Sequence, residues 1–164
     1  MRILGIDPGL ATMGWGVVDV ERGMPRYVAC GTITTTPDTL FPQRLVSIRT
    51  DVENLLANYK PDHIVFEELF FARNVTTAFT VGAARGVAIT VCAAYTDQLY
   101  EYTPMQIKQA VVGYGHAEKQ QVQQMLRMIL KLSDIIKPDD AADAVAAAVT
   151  HAHTGRASGQ FLMK

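Results

Sequence analysis

Ile3-Leu4-Gly5-Ile6-Asp7-Pro8-Gly9 is a short apolar run that ends in a carboxylate and then in a Pro-Gly reversal. An apolar run closed by turn residues reads as a strand, so Asp7 is held at a strand end. A carboxylate there has two uses: it caps the turn by accepting from local backbone N–H groups, or it faces a site and holds a metal. Capping is the commoner use of a lone aspartate. Other acids able to converge on it, Glu67 and the pair Asp140 and Asp143, shift the balance toward a site.

Outward from Asp7, residues 13–20 and 26–35 read as a second and a third strand. The segment between them, Glu21-Arg22-Gly23-Met24-Pro25, carries hairpin-like turn chemistry, so three successive antiparallel strands are the economical assignment. Leu45, Ile48, Val52, Leu55 and Leu56 then recur at spacings of three and four, which predicts a helix ending near Tyr59-Lys60-Pro61. Residues 62–67 return to strand through Ile64-Val65-Phe66 and again end in acid, Glu67. A right-handed crossover between neighbouring parallel strands puts their C-terminal ends on one edge, so Asp7 and Glu67 are expected to share it. Glu68 points to the face opposite Glu67, and alternation alone leaves open which of the two faces the site.

Phe70-Phe71-Ala72-Arg73-Asn74 puts two aromatics and a cation in a loop, a combination suited to stacking on unpaired bases; packing beneath the loop is the alternative, more for Phe71 than for Phe70. Residues 75–95 read as a long helix rich in small residues, including Gly82, Ala83, Ala84, Gly86 and Ala88. Such a surface admits a close neighbour, either the sheet or a second subunit. Residues 99–102 form a last strand ended by Thr103-Pro104, and 106–112 a short helix carrying Lys108. The stretch 117–132 is amphipathic through Val122, Met125, Leu126 and Ile129, with Glu118 and Lys119 in its first turn. A cation there opposes the helix dipole, and a ligand phosphate explains Lys119 better than stability does. The final helix opens at Lys137-Pro138-Asp139-Asp140, where helix-start chemistry accounts for Asp139. Asp143 follows Asp140 by three, placing both carboxylates on one face of an Ala-rich helix. Two acids in low dielectric repel unless a cation lies beside them. His151 either extends this face or is a plain core or surface histidine.

Length and composition bound the answer. The 164 residues fit one domain, assigned to 1–153 with a short C-terminal tail at 154–164, and suffice to bury a core without staples. No window reaches 18 uninterrupted apolar residues, and the N-terminus leads directly into a strand without a secretion signal, so a cytoplasmic protein with no membrane partner is expected. Cys30 and Cys92 lack metal-ligand spacing and read as reduced thiols. The net charge of −1 argues weakly against a nucleic-acid binder, but residues 69–138 hold seven basic and four acidic side chains between two acid-bearing ends. Cations bound by those acids would offset them locally.

Five motifs, taken in order, resemble a known family: Gly5-Ile6-Asp7-Pro8-Gly9, Val65-Phe66-Glu67-Glu68-Leu69-Phe70, Gln106-Ile107-Lys108-Gln109, the run from Gly115 to Lys119, and Asp140-Ala141-Ala142-Asp143-Ala144. Each is weak alone, but together they are similar to the RuvC Holliday-junction resolvases over residues 2–153. The resemblance implies an α/β, RNase H-like fold, a mixed five-stranded sheet flanked by helices. It implies a metal-dependent endonuclease that acts as a homodimer on four-way junction DNA in recombination and repair, alongside the RuvA–RuvB branch-migration complex. Position by position, the family's catalytic acids fall on Asp7, Glu67, Asp140 and Asp143, its lysines on Lys108 and Lys119, and its junction-centre aromatic on Phe70. Phe71 and Arg73 join the expected DNA contacts. The second acid at Glu68 departs from the family pattern, and the tail carries over nothing.

An all-oxygen ligand set suits Mg²⁺ or Mn²⁺ and argues against zinc, and two such ions about 4 Å apart are what phosphodiester hydrolysis calls for. Asp7 is the natural bridging ligand, with Lys119 orienting water or neutralising the phosphate. Two rivals stand beside this reading. An actin-like kinase shares the opening strand and glycine turn but needs a far longer chain. A noncatalytic junction-binding module of the same fold has no reason to keep all four acids.

Overall fold

A computed structural model of the chain describes residues 1–69 and 75–164. Three strands open it, β1 (Arg2–Asp7), β2 (Thr12–Glu21) and β3 (Met24–Thr34), followed by α1 (Phe41–Tyr59) and β4 (His63–Glu67). Then come α2 (Val75–Tyr95), β5 (Leu99–Tyr102), α3 (Pro104–Val112), α4 (Lys119–Ile129), α5 (Asp139–Thr154) and a 3₁₀ turn, Gly155–Phe161. The strands form one sheet in the order β3-β2-β1-β4-β5. The first three are antiparallel, and β4 and β5 run parallel to β1, so the sheet is mixed as expected.

Each face of the sheet is covered by a separate core. On one, Ile3, Val18, Val65 and Tyr100 pack against α5, α3 and α4. On the other, Leu4, Ile6, Ile64 and Phe66 pack against α1, through Ile48, Val52, Leu55 and Leu56, and against α2, through Ala84, Ala88 and Cys92. The alternation along β1 and β4 therefore sorts side chains between two cores rather than between core and water.

Helix α5 is the element that decides where the site forms, and glycines let it close on the sheet. A methyl group at Gly5 would run into the Ala144 carbonyl, and one at Gly14 into the Asp140 carbonyl. Ala141, Ala142, Ala144 and Ala146 to Ala148 are all buried, so no bulky side chain holds the helix away. Its N-terminal turns thereby reach the C-terminal end of β1.

Several boundaries differ from the sequence reading. Helix α1 begins at Phe41, with Pro42 in its first turn, because Pro is compatible with that position and the apolar periodicity starts only later. Thr103 both ends β5 and caps α3: its hydroxyl accepts from the Gln106 N–H, and the Gln106 side chain accepts from the Thr103 N–H. Helix α4 spans Lys119–Ile129, shorter than the 117–132 pattern, since Glu118 and Gln121 form the capping box and Leu130 closes the end. The last residues are folded rather than free. Phe161 lies 4.5 Å from the Tyr102 ring, and the Met163 N–H donates to the Leu99 carbonyl at 2.9 Å, so the segment after α5 covers the β5 edge.

Helix α2 is covered on one side only. Thr77–Tyr95 is long and apolar enough, by length and composition, to cross a bilayer, yet Ala84, Ala88 and Cys92 sit on the sheet and Arg85 pairs with Glu101 of β5. Only 17% of that window is buried, Phe79 is 76% exposed, and Gly82 and Gly86 have nothing among the described residues within 4 Å of the place a side chain would occupy.

Candidate active site

Asp7 and Glu67 stand at the C-terminal ends of adjacent parallel strands, one position beyond the paired residues Ile6 and Phe66. Alternation aims both at the α5 face. Helix α5 brings Asp140 and Asp143 to the same place from its first two turns, so the edge of the sheet and one helix end together present four carboxylates.

Their mutual electrostatics are unfavourable. Burial, then the charges of Asp143 and Asp140, push the Asp7 carboxyl up to about 7, with Lys119 opposing. Glu67 is pushed to about 8 by burial first and then by Asp7 and Asp143, with Lys119 and Lys108 opposing. Asp143 is also raised, by burial above all, against the pull of Lys119. Desolvated carboxylates that face each other favour a proton or a cation between them.

Among the described residues, Lys119 is the cation paired with the acids of α5. Its Nζ lies 2.8 Å from Asp143 Oδ2 and 3.5 Å from Asp139 Oδ2. Burial lowers its pKa, but the hydrogen bond and charge of Asp143, with the charge of Asp139, outweigh that and leave it raised. Asp139 does more than start a helix, since its Oδ1 also accepts from the buried Gln123 side chain at 2.9 Å. Helix-start chemistry concealed that contact in the sequence, and only the packing of α4 on α5 reveals it. Lys108 acts on Glu67 through charge from α3.

The sheet places the neighbouring glutamates differently. Glu67 is half-buried and feels the charge of Asp7, while Glu68 is exposed, and among the described residues only its backbone N–H is engaged, donating to the Tyr102 carbonyl at 2.8 Å. His151 does not join the acids. It is buried at the far end of α5, where its Nε2 meets His63 Nδ1 at 2.7 Å and its Nδ1 meets the Tyr102 hydroxyl at 2.9 Å. Burial, with His63 beside it, lowers its pKa to about 4, so it is a neutral core histidine. Phe70, Phe71 and Arg73 lie outside the described residues.

With the side chains as they stand, no three His, Cys, Asp or Glu among the described residues already form a metal cage. The strand ends and α5 fix the backbones of the four acids. The donors are all carboxylate oxygens, and their summed charge exceeds what Lys119 and Lys108 supply. That combination fits a hard divalent cation.

The family model described as crossover junction endodeoxyribonuclease RuvC matches residues 3–151, which span all four acids and both lysines. The chain belongs to the RuvC family. A protein of that name from Alkaliphilus metalliredigens is 49% identical over 164 residues, the whole of both chains. Another, from Brevibacillus brevis, is 53% identical over 152 residues, 93% of this chain and 92% of its own. Among solved structures, Thermus thermophilus RuvC superposes with a TM-score of 0.88, and the same protein in complex with Holliday junction substrate with 0.90. Both are 37% identical and cover 96% of each chain. A yeast mitochondrial Holliday junction resolvase, 13% identical with a TM-score of 0.68, shares the fold alone. The RuvC match makes this sheet and its helices an RNase H-like fold, as the motifs implied.

Proposed function

We propose that this RuvC-family chain is a cytoplasmic endonuclease that resolves four-way DNA junctions by hydrolysing one phosphodiester in each of two opposing strands. The observation that carries this reading is the set of desolvated carboxylates at the ends of β1, β4 and α5, held by a fold shared with junction resolvases. Asp7, Glu67, Asp140 and Asp143 would hold Mg²⁺ or Mn²⁺, two ions per site. When bound, such ions activate water and stabilise charge on the phosphoryl and leaving oxygens. The chain's residues do the rest. Lys119, held by Asp143 and by Asp139, which Gln123 in turn steadies, would orient water or neutralise the scissile phosphate. Lys108 adds a second phosphate contact from α3. Phe70 stacks on a base at the opened junction centre, with Phe71 and Arg73 beside it.

Opposing cuts need two sites related as the junction's own strands are, which a C2 dimer supplies. The uncovered, small-residue side of α2 supports pairing of two such helices, with Gly82 and Gly86 open for close approach. Family resemblance adds RuvA–RuvB as the machinery that delivers the junction. Incubating the protein with a four-way junction, with and without Mg²⁺, tests the reading. Paired cuts that require the ion support it; tight binding without cutting at any divalent ion would leave a noncatalytic junction-binding module.

A further inference from the structure

Arg44 sits in the first turn of α1, half-buried, beside the turn that follows Asp7. Its Nε donates to the Thr35 hydroxyl at 2.8 Å, and that hydroxyl donates to the Leu10 carbonyl at 2.6 Å. The Thr35 N–H is tied to the Ala11 carbonyl at 3.0 Å. These bonds tether the guanidinium through Thr35 to the loop between β1 and β2. The sheet register agrees with that location: Asp7 pairs with Gly14 and Thr12 pairs with Thr34, so the end of β3 lies on the acid-bearing edge.

A guanidinium has five donors, and only Nε of Arg44 is used among the described residues. The other half-buried arginines there are held by acids, Arg2 by Asp19 and Arg85 by Glu101. Arg44 has no carboxylate partner among the described residues; Asp38, on the loop between β3 and α1, is exposed and makes no ion pair with it. Two exposed hydroxyls on the loop that carries Thr35, those of Thr36 and Thr39, lie 3.5 Å apart. A tethered fork whose terminal nitrogens are unused among the described residues, with hydroxyl donors on the same loop as its tether, has the chemistry of a phosphate site.

Its place relative to the acids gives the ligand. Lys119 and Lys108 come from helices on the α5 face of the sheet, whereas α1 packs on the opposite face. A strand of DNA crossing the edge at Asp7 therefore meets a cation on either side. We propose that Arg44 binds a backbone phosphate of the cleaved strand, on the side of the acids opposite Lys119, with Thr36 and Thr39 bordering that phosphate. This inference rests on the nuclease reading above.

The test is junction affinity across a salt series in EDTA, where cleavage is off. Each phosphate that the protein no longer neutralises weakens binding and lowers the salt slope by about one. Arg44→Gln is expected to bind roughly tenfold more weakly at fixed salt, with a shallower slope and an unchanged thermal midpoint; Arg44→Lys recovers part of the slope. A set of junctions carrying one neutral methylphosphonate each, placed along the strand on either side of the cut, locates the partner. One position weakens wild-type binding and is silent in Arg44→Gln. Should Arg44→Gln fail to fold, that position must still appear in wild type and be altered in Arg44→Lys. A folded Arg44→Gln with wild-type affinity and slope, weaker binding with the slope intact, or no methylphosphonate position that depends on residue 44 overturns this inference alone. A wild-type protein that neither binds nor cuts junctions overturns the nuclease reading and this inference together.

Discussion

Replacing Asp7 by Asn is expected to abolish cleavage and, in the same protein, raise its stability when divalent ions are withheld. The Asp7 carboxyl is raised from 3.8 to about 7, first by burial and then by Asp143 and Asp140. For a carboxylate raised in the folded state, the cost of ionisation begins above the ordinary value and grows until the pH passes about 7. At about 1.4 kcal/mol per pH unit, that rise corresponds to about 4 kcal/mol at pH 8. Asn keeps the shape without the charge, and an amide with incomplete hydrogen bonding returns about 1 to 2 kcal/mol of that gain. The remaining ~2 to 3 kcal/mol corresponds to about 5 to 10 °C in a domain of this size. Calorimetry at pH 8 in EDTA measures it directly. Lowering the pH to 6 stabilises wild type more than the variant, and adding Mg²⁺ raises the wild-type midpoint while leaving Asp7→Asn nearly unmoved. Junction binding persists and weakens with salt. An Asp7→Asn protein that is destabilised in EDTA at pH 8, or that cuts near the wild-type rate with Mg²⁺, refutes the argument.

Glu67→Gln should slow junction cleavage by at least 100-fold, on the order of one missing charge interaction in the transition state, whereas the exposed Glu68→Gln stays within about threefold; reversed order in a single-turnover assay would move the ligand by one residue. His151 has its pKa lowered from 6.5 to about 4 by burial, so the stability tied to its neutral form is present above 6.5 and lost as the pH falls toward 4. Thermal melts of His151→Gln should therefore show a flatter acid limb than wild type, by up to about 3 kcal/mol; parallel limbs would count against it. Gly82→Arg on the uncovered side of α2 should yield a folded monomer by light scattering, and a folded dimer would exclude that helix as the interface. Phe70→Ala should lose about 1 to 3 kcal/mol of stacking in junction processing without lowering the thermal midpoint, and a large fall in the midpoint would mark it as core.

The strand that ends at Asp7 and the one that ends at Glu67 were legible because each is a short apolar run closed by acid and turn chemistry. A right-handed crossover then leaves one arrangement for them. Asp140 and Asp143 were legible from their spacing in a run of alanines, a composition that signals close packing. What the sequence could not carry was contact across elements. The alternation of Glu67 and Glu68 is symmetric until a sheet face is chosen, and only α5 seated over Gly5 and Gly14 chooses it. Asp139 looked like a helix-start residue, and its hold on Lys119 and Gln123 depends on how α4 docks. The residues after Thr154 carry too little apolar pattern to announce a 3₁₀ turn, yet the open edge of β5 gives Phe161 and Met163 something to cover. His151 shows the converse: its place two turns beyond Asp143 suggested a shared face, but the helix is long enough to carry it to the other end of the sheet.

The claim that two carboxylate sites, paired by symmetry, cut a junction with the help of divalent ions is tested most directly on supercoiled plasmid bearing an extruded cruciform. With Mg²⁺, wild type is expected to convert supercoiled DNA to linear product by paired nicks, to do nothing in EDTA, and, when mixed with an excess of Asp7→Asn subunits, to accumulate nicked circles. Cleavage that persists in EDTA, or wild type that yields nicked circles alone, would contradict it.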